Sequence, residues 1–452
     1  MLPKWPKITW LYSNKNKGPY ILGINPWIYD FAAFNLWSRP LGLIVLLSYL
    51  YKSGANVALL DCMYRMWQDV NWPNSQIYGT SHYPRVYVPK PCFFEDIPRR
   101  FARYGLPLEM VKKALKALSP PPDLVLITSI MTYWYPGVVV ILNLIKEIWP
   151  RVPVIVGGIY ATLCFEHAQK ILDAHILKGP VESEENQRFI SNKIGLDLNL
   201  KDGFDLSIQS DLYPESPFAV LMLNRGCPFG CDYCASKELF SGFFTRSYED
   251  VFREFEHLYK KGIRNFAFYD DALLVNWQNS VGPFLEKVIE KGIKDVNFHV
   301  PNGLHVRFLS KEVCRLLKKA GFKTIRLGLE TVNFKNRWDK KLTYEEWDMG
   351  VKNLFSAGFE KDQLGAYILF GLPEQEDKEV VDAINFVKKY GIRPHLAYYS
   401  PIPKTKMFEL AKRVSPYPLE EEPLTHNRSI WPCYKKRFSW EERSRWRALL
   451  KF

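Results

Sequence analysis

Short runs that are apolar throughout, each followed by a stretch of helical spacing, recur along almost the whole chain. No other feature limits the fold as much. After a polar lead-in, ILGIN (Ile21–Asn25) reads as a buried strand ended by Pro26. Leu41–Gly54 has helical apolar spacing and closes on Gly54, suited to the left-handed turn that ends a helix. Ala55–Asp61 is the next strand, followed by an aromatic-rich insertion with a helical patch at Glu109–Leu118. Strand Leu124–Thr128, helix Val138–Trp149, strand Val152–Val156, helix Glu166–Leu172 and strand His175–Leu177 complete the series. Strands with no polar face must be covered on both sides, which implies a parallel sheet. The expectation is an α/β chain opening with a doubly wound domain over residues 1–199. Such sheets bind ligands beyond the carboxyl ends of their strands. The residues expected there are Asn25-Pro26, Asp61-Cys62, Ser129–Tyr133, Gly157–Ala161 and Gly179–Glu182.

Residues 200–217 are polar and read as a linker, after which the alternation restarts. Strands are expected at Phe218–Leu223, Asn265–Tyr269, Val296–Val300, Thr324–Leu329, Gly365–Phe370 and Leu396–Tyr399. Helix Tyr248–Gly262 opens on Ser247, helix Lys311–Ala320 on Ser310, and Thr343 with Glu346 forms a capping box. Six strand–helix units predict a partial (β/α)6 barrel over 218–405, closed by a small helical cap over 406–452. Polar residues gather at the strand ends, where barrels build their sites. In the cap, His426, Asn427, Trp431 and Cys433 read as pocket lining or as ordinary packing.

The first of these barrel strands leads into RGCPFGCDYC, Arg225–Cys234, with cysteines at Cys227, Cys231 and Cys234. Thiolates are soft ligands suited to iron–sulfur clusters and zinc. No fourth Cys or His follows nearby, so one position on a four-iron cluster stays open; a zinc knuckle or three incidental thiols are the bland alternatives. This spacing, with Tyr233 before the last cysteine, resembles the signature loop of the radical S-adenosylmethionine (SAM) superfamily. The resemblance implies a 4Fe–4S cluster whose open iron binds the amino and carboxylate groups of SAM. It also implies reductive cleavage of SAM to a 5′-deoxyadenosyl radical that acts on an unactivated carbon of an organic substrate.

Further positions match the same family. The resemblance puts Tyr233, Asp270, Asp271, Asn302, Glu330, Leu369, Gly371 and Glu374 in contact with the cofactor. Asp270 and Asp271 stand where the SAM amino group is met, Glu330 where the ribose or methionine moiety lies, and Leu369 to Glu374 where adenine is framed. Pro401–Thr405 looks like the closing loop, with Lys404 where glycine is usual. The preceding domain resembles the cobalamin-binding class of this superfamily, through Asn25-Pro26, Arg39–Gly42, Leu60-Asp61, Gly157-Gly158 and Gly179–Glu182. That likeness implies cobalamin and C-methylation, although no Asp-x-His-x-x-Gly motif is present. Three alternatives stay open. One is cobalamin-independent rearrangement or C–C or C–S bond formation. Another is methylthiotransferase-like tRNA modification, with Cys62, Cys92 and Cys164 holding a second cluster. The last is a non-enzymatic metal-binding module.

Composition narrows the setting. With 47% hydrophobic and 24% charged residues the chain is an ordinary globular one. Eight cysteines in 452 residues are too sparse for a disulfide framework, which points to a reducing cytoplasm. The first ten residues, MLPKWPKITW, show no signal-peptide pattern. The uncharged stretch Leu124–Ile145 is long enough to span a membrane, but Pro136-Gly137 splits it into strand and helix. The net charge of +13 is spread out, so a solvated basic surface is expected and nucleic acid is not. The expected partners are a small-molecule or lipid-like organic substrate and an electron donor, either a reductase or a flavodoxin or ferredoxin.

Overall fold

The computed structural model describes residues 8–13, 18–64, 73, 76–198, 200, 203–240, 242–339 and 341–451. The first seven residues, most of the aromatic-rich stretch 65–75 and Lys201-Asp202 of the linker lie outside them. The chain forms two compact units, Met1–Pro91 with Arg99–Ser216, and Cys92–Pro98 with Pro217–Phe452.

In the first unit the main elements are β1 (Tyr20–Asn25), α1 (Leu41–Ser53), β2 (Asn56–Asp61), α2 (Leu108–Lys116) and β3 (Leu124–Ser129). They continue with α3 (Tyr135–Ile148), β4 (Val154–Gly158), α4 (Phe165–Ile171), β5 (His175–Ile176) and α5 (Glu184–Ile194). All strands of the main sheet run parallel in the order 2-1-3-4-5. Every residue of β2 and β3 is buried, as continuous apolar runs require. The fold class is therefore the α/β arrangement the alternation implied. The sheet order reverses between β1 and β3, so the connections leave in opposite directions and open a crevice at their carboxyl ends.

Two local expectations change. Pro136-Gly137 does not precede α3 but lies in its first turn, where proline's missing N–H costs nothing. A side chain at Gly137 would collide with the carbonyl of Trp27, so glycine lets the helix start lie against the loop after β1. The polar stretch read as a linker packs on the first unit in its described part. Leu206, Leu212 and Tyr213 are buried, and the Tyr213 hydroxyl donates to Asp61 Oδ2 at 2.8 Å. The guanidinium of Arg39 covers the Tyr213 ring at 4.0 Å. Ionic and apolar anchors thus outweigh the stretch's polar composition.

The second unit contains β6 (Ala219–Leu221), α6 (Tyr248–Lys260), β7 (Asn265–Phe268), α7 (Val281–Glu290), β8 (Asn297–Leu304) and α8 (Lys311–Ala320). Then follow β9 (Phe322–Glu330), α9 (Tyr344–Ser356), β10 (Leu364–Phe370), α10 (Asp377–Lys389), β11 (Arg393–Tyr398), α11 (Lys406–Val414) and α12 (Trp440–Leu450). Its six strands pair in sequence order and all run parallel, the open arc of a (β/α) barrel. Phe255, Phe266, Phe268, Phe284 and Phe298 interlock beneath the helices, with ring centroids 4.8–6.1 Å apart. The C-terminal segment seals the far end of the arc. Trp431, Tyr434 and Trp446 close on Phe370 at 4.9, 4.9 and 5.0 Å. His426, Asn427, Trp431 and Cys433 are all buried, so they serve packing. No helix among the described residues is long and apolar enough to cross a membrane.

Candidate functional site

The cysteine loop begins where β6 ends. Asn224–Arg225 pairs with Phe244–Thr245, and Gly226, with φ +79°, passes under the carbonyl of Gly242 so closely that a Cβ would collide with it. Beyond it the loop is tied at several points. The Asp232 N–H donates to the Trp338 carbonyl at 3.0 Å, and the Asp232 carbonyl accepts from Met407 N–H at 2.9 Å. Phe229 stacks on His305 with centroids 4.7 Å apart. A loop carrying three ligands is thereby held by the residue that follows β8, by the segment after β9 and by α11.

Two groups of side chains meet at this loop. Cys227 and Cys234 share their surroundings with Asp271, which accepts from Ser236 Oγ at 2.8 Å. Cys231 lies beside Tyr233 and Lys341; the Tyr233 hydroxyl donates to Asp339 Oδ2 at 3.1 Å, and Lys341 Nζ donates to Glu330 Oε1 at 3.2 Å. Burial opposes the charge on Lys341, yet Glu330, Cys231 and Asp339 together hold it above its ordinary range. Asp339 is fixed in turn by a two-pronged contact from Arg337, at 2.8 and 3.0 Å. Arg337 also donates to the carbonyls of Leu329 and Thr331. The turn that carries Glu330, at φ +65°, is therefore braced from below.

Burial raises all three thiols, Cys231 to about 11 despite Lys341 beside it. Cys234 and Asp271 are exposed to water yet surrounded closely enough by protein to be desolvated, the mark of a concave surface. No three His, Cys, Asp or Glu side chains among the described residues converge as a single metal ion would require. A cubane asks for something else: each thiolate binds its own iron, so the sulfurs surround the cluster instead of meeting at a point. Three thiols that sense one another pairwise, with a lysine to offset the charge of their thiolates, fit that donor set.

The other expected residues fall differently. Asp270 is 2% exposed and accepts the backbone N–H groups of Asn224 and Leu223, at 2.5 and 3.2 Å. Burial pushes its carboxyl up to about 7 even so. Asn302 lies inside β8, not beyond it, and its amide donates to the carbonyls of Tyr269 and Asp270. Both residues set the strand ends. Leu369 and Gly371 are bridged by the Gln375 amide, which donates to the Leu369 carbonyl at 3.0 Å and accepts Gly371 N–H at 2.8 Å. Leu369 and Tyr233 pack on the cluster of Leu372, Met407 and Cys433. Glu374 is exposed at φ +60°. Lys341, Asp339, Arg337 and His305 are the participants that sequence reading missed. They lie in a polar loop and a strand end with no spacing signal of their own.

In the first unit, the crevice between β1 and β3 is a cleft of about 390 Å³, including its part open to solvent. Asn25, Arg39, Thr128, Ser129 and Trp134 line it. Asn25 Nδ2 donates to Asp61 Oδ1 at 2.7 Å, and burial raises the Asp61 carboxyl against the pull of Arg39 and Asn25. Asp61 and Cys62 are themselves buried under this rim. Cys164 is buried in the same unit, whereas Cys92 is exposed and belongs to the other, so the described fold gives these three thiols no common setting within one unit.

Residues 221–387 match the family model of the radical SAM superfamily. An uncharacterized methyltransferase, PH0819, of Pyrococcus horikoshii is 28% identical over 200 residues, 43% of this chain and 42% of that protein. The bacteriochlorophyllide d C-12(1)-methyltransferase of Chlorobaculum tepidum is 23% identical over 285 residues, 57% of this chain and 60% of that one. The chain thus spans about half the length of these relatives. Among solved structures, the radical SAM methyltransferase TsrM of Kitasatospora setae, with tryptophan substrate and a SAM analogue, superposes with a TM-score of 0.63 at 16% identity. That match covers 88% of this chain and 78% of that one. The same enzyme with cobalamin and a 4Fe–4S cluster bound gives a TM-score of 0.61 at 16% identity, over 89% of this chain and 76% of that one. These likenesses are of fold. The segment 221–387 that matches the radical SAM family model takes in most of the parallel six-stranded arc and the cysteine loop that follows its first strand.

Proposed function

We propose that this chain is a radical SAM enzyme that methylates an unactivated carbon of an organic substrate with the help of cobalamin. The observation that carries the reading is the cysteine loop itself, set at the carboxyl end of β6 with Asp271 on one side and Lys341 and Glu330 on the other. Cys227, Cys231 and Cys234 are the residues to hold a 4Fe–4S cluster. When bound, that cluster supplies the electron that cleaves SAM and so yields the hydrogen-abstracting radical. Lys341 offsets the negative charge of the thiolates and orients Glu330, and Tyr233, Leu369 and Gly371 offer the apolar and backbone surface for an adenosyl group. The aromatic cluster from Trp431 to Trp446 packs on Phe370 and buttresses the carboxyl end of β10.

The position of the crevice, at the switch point of the first unit's sheet, favours a second cofactor there, for which cobalamin is the reading, and the methyltransferase names of the relatives favour methyl transfer. The domain limits of this reading are 1–199 for the cobalamin-type domain, 200–217 for a connection whose described part packs on it, 218–405 for the barrel and 406–452 for the cap. A cytoplasmic setting, a small-molecule or lipid-like substrate and a flavodoxin, ferredoxin or reductase as donor accompany this reading. The test is anaerobic purification with iron and cobalamin quantified, then SAM cleavage driven by dithionite. About four irons and one cobalamin per chain, with 5′-deoxyadenosine on reduction, are expected. Zinc in place of iron sinks the radical reading; full iron with no cobalamin leaves the enzyme and removes the methylation route.

A further inference from the structure

A closed barrel fills its interior with side chains. Over the second half of this arc the burial runs the other way. On β9, Ile325, Leu327 and Leu329 are buried beneath the helices, while Thr324, Arg326, Gly328 and Glu330 between them are part-exposed. On β10, Ala366, Ile368 and Phe370 are buried and Tyr367 and Leu369 are part-exposed. Residues 395–398 of β11 are all part-exposed. The face that carries Glu330 therefore borders a water-accessible hollow, in which a ligand has room.

Apart from Glu330 at its upper end, the polar groups on that face are cationic or neutral. Arg326 and His395 meet above Gly365: a Cβ there would lie 3.2 Å from Arg326 Cδ and 2.6 Å from His395 Nε2. Tyr367 lies across Gly328 towards Gly303, with its hydroxyl donating to the Pro301 carbonyl at 2.9 Å. Arg326 stands beside the Tyr367 hydroxyl, and Arg393 and Arg428 add charge nearby. No carboxylate among the described residues pairs with Arg326, Arg393 or Arg428. His395 Nε2 is buried without a hydrogen-bond partner. Burial, with Arg326 and Arg393 adding to it, holds the imidazole down to about 4, so it is neutral and able to donate. A part-buried guanidinium without a counter-charge is costly unless something fills the role. Glu330, the acid on the same strand face, is taken by Lys341.

We propose that Arg326 and His395, with the Tyr367 hydroxyl holding the guanidinium in place, form an oxyanion subsite inside the arc, which receives a carboxylate or phosphate group of the organic substrate. Its identification as a substrate site rests on the radical SAM reading; the anion binding does not. Arg326 precedes Glu330 by four residues, roughly 13 Å at about 3.3 Å per residue. The subsite thus lies well below the strand ends that carry the cofactor residues. A substrate anchored there by its anionic end presents the rest of its skeleton upward, towards the cysteine loop. The planar fork of Arg326 supplies two donors and the imidazole a third, which suits an oxyanion and not a neutral or cationic group.

The test follows the histidine resonances of the anaerobically reconstituted full chain, with ¹³C-labelled imidazoles and His395 assigned through His395→Gln. Sodium acetate and inorganic phosphate are titrated in separate arms at ionic strength matched with chloride. A saturable shift of the His395 resonance with acetate, phosphate or both, absent with chloride, is expected; the stronger arm identifies the substrate's anionic group. Arg326→Gln should weaken that affinity tenfold or more, and Arg326→Lys by less. Tyr367→Phe, which removes only a hydroxyl, repeats the comparison where loss of the guanidinium disturbs the sheet. Failure of both anions to move the resonance, or equal shifts in Arg326→Gln, overturns the subsite. Deoxyadenosine release from the same preparation reports the radical reading separately. Release with a silent His395 removes the subsite alone; a responsive His395 without release supports the subsite and removes the radical reading.

Discussion

The carboxylate of Asp270, at the end of β7, accepts the backbone N–H of Asn224 at 2.5 Å, three residues before the first cysteine of the loop. A buried acid is thus the clamp that sets where the cysteine loop departs from its strand. Its carboxyl, raised to about 7 by burial, makes this clamp sensitive to pH. Above pH of about 4 the unfolded chain loses the proton, while the native state keeps it to about 7. This group therefore lowers stability as pH rises from about 4 to about 7 and adds no slope beyond that. Asp270→Asn deletes the slope. Urea unfolding at pH 5 and pH 7.5 should show the difference between variant and parent moving in the variant's favour at the higher pH, by on the order of 1 kcal/mol or more.

Cys231→Ala removes the thiol that lies beside Lys341 and Tyr233. Iron bound after reconstitution should fall to a small fraction of the parent's, and dithionite-driven deoxyadenosine formation should drop below detection. Persistent SAM cleavage in this variant counts against the cluster assignment.

Lys341 and Glu330 form a nearly buried pair, 3.2 Å apart with side chains 11% and 12% exposed. Removing one partner leaves a desolvated charge, at a cost of about 3–5 kcal/mol. Lys341→Gln and Glu330→Gln singly should each lower the unfolding midpoint, and the double variant should recover much of the loss. Strictly additive losses in this cycle would show that the two residues are not coupled.

Gly158 ends β4 at φ +94°, and a Cβ there would lie 2.6 Å from the Ser129 carbonyl oxygen. Gly158→Ala forces a strained backbone against the strand that floors the cleft. A loss of about 1–3 kcal/mol is expected, with less cobalamin retained per chain at equal iron content. Equal retention would separate this strand end from the cofactor site.

Much of this architecture is legible in local sequence because local forces set it. Ser310 and Gly321 bound α8, and Thr343 with Glu346 closes the capping box of α9, through contacts within a few residues. Helix α7 escapes such reading: Ser280 makes no cap bond, and Gly282-Pro283 in its first turn resembles a break. The alternation that yields both parallel sheets, and the spacing of Cys227, Cys231 and Cys234, are properties of consecutive residues. The same is not true of the clamp from Asp270 to Asn224, the link from Tyr213 to Asp61, or the meeting of Arg326 and His395 over Gly365. Those partners lie on different strands or far apart in the chain. The linear order of residues specifies strands, caps and thiol spacing through neighbours within about one turn. Sheet order alone decides which carboxylates, lysines and imidazoles share a strand end, because it sets which distant segments lie side by side.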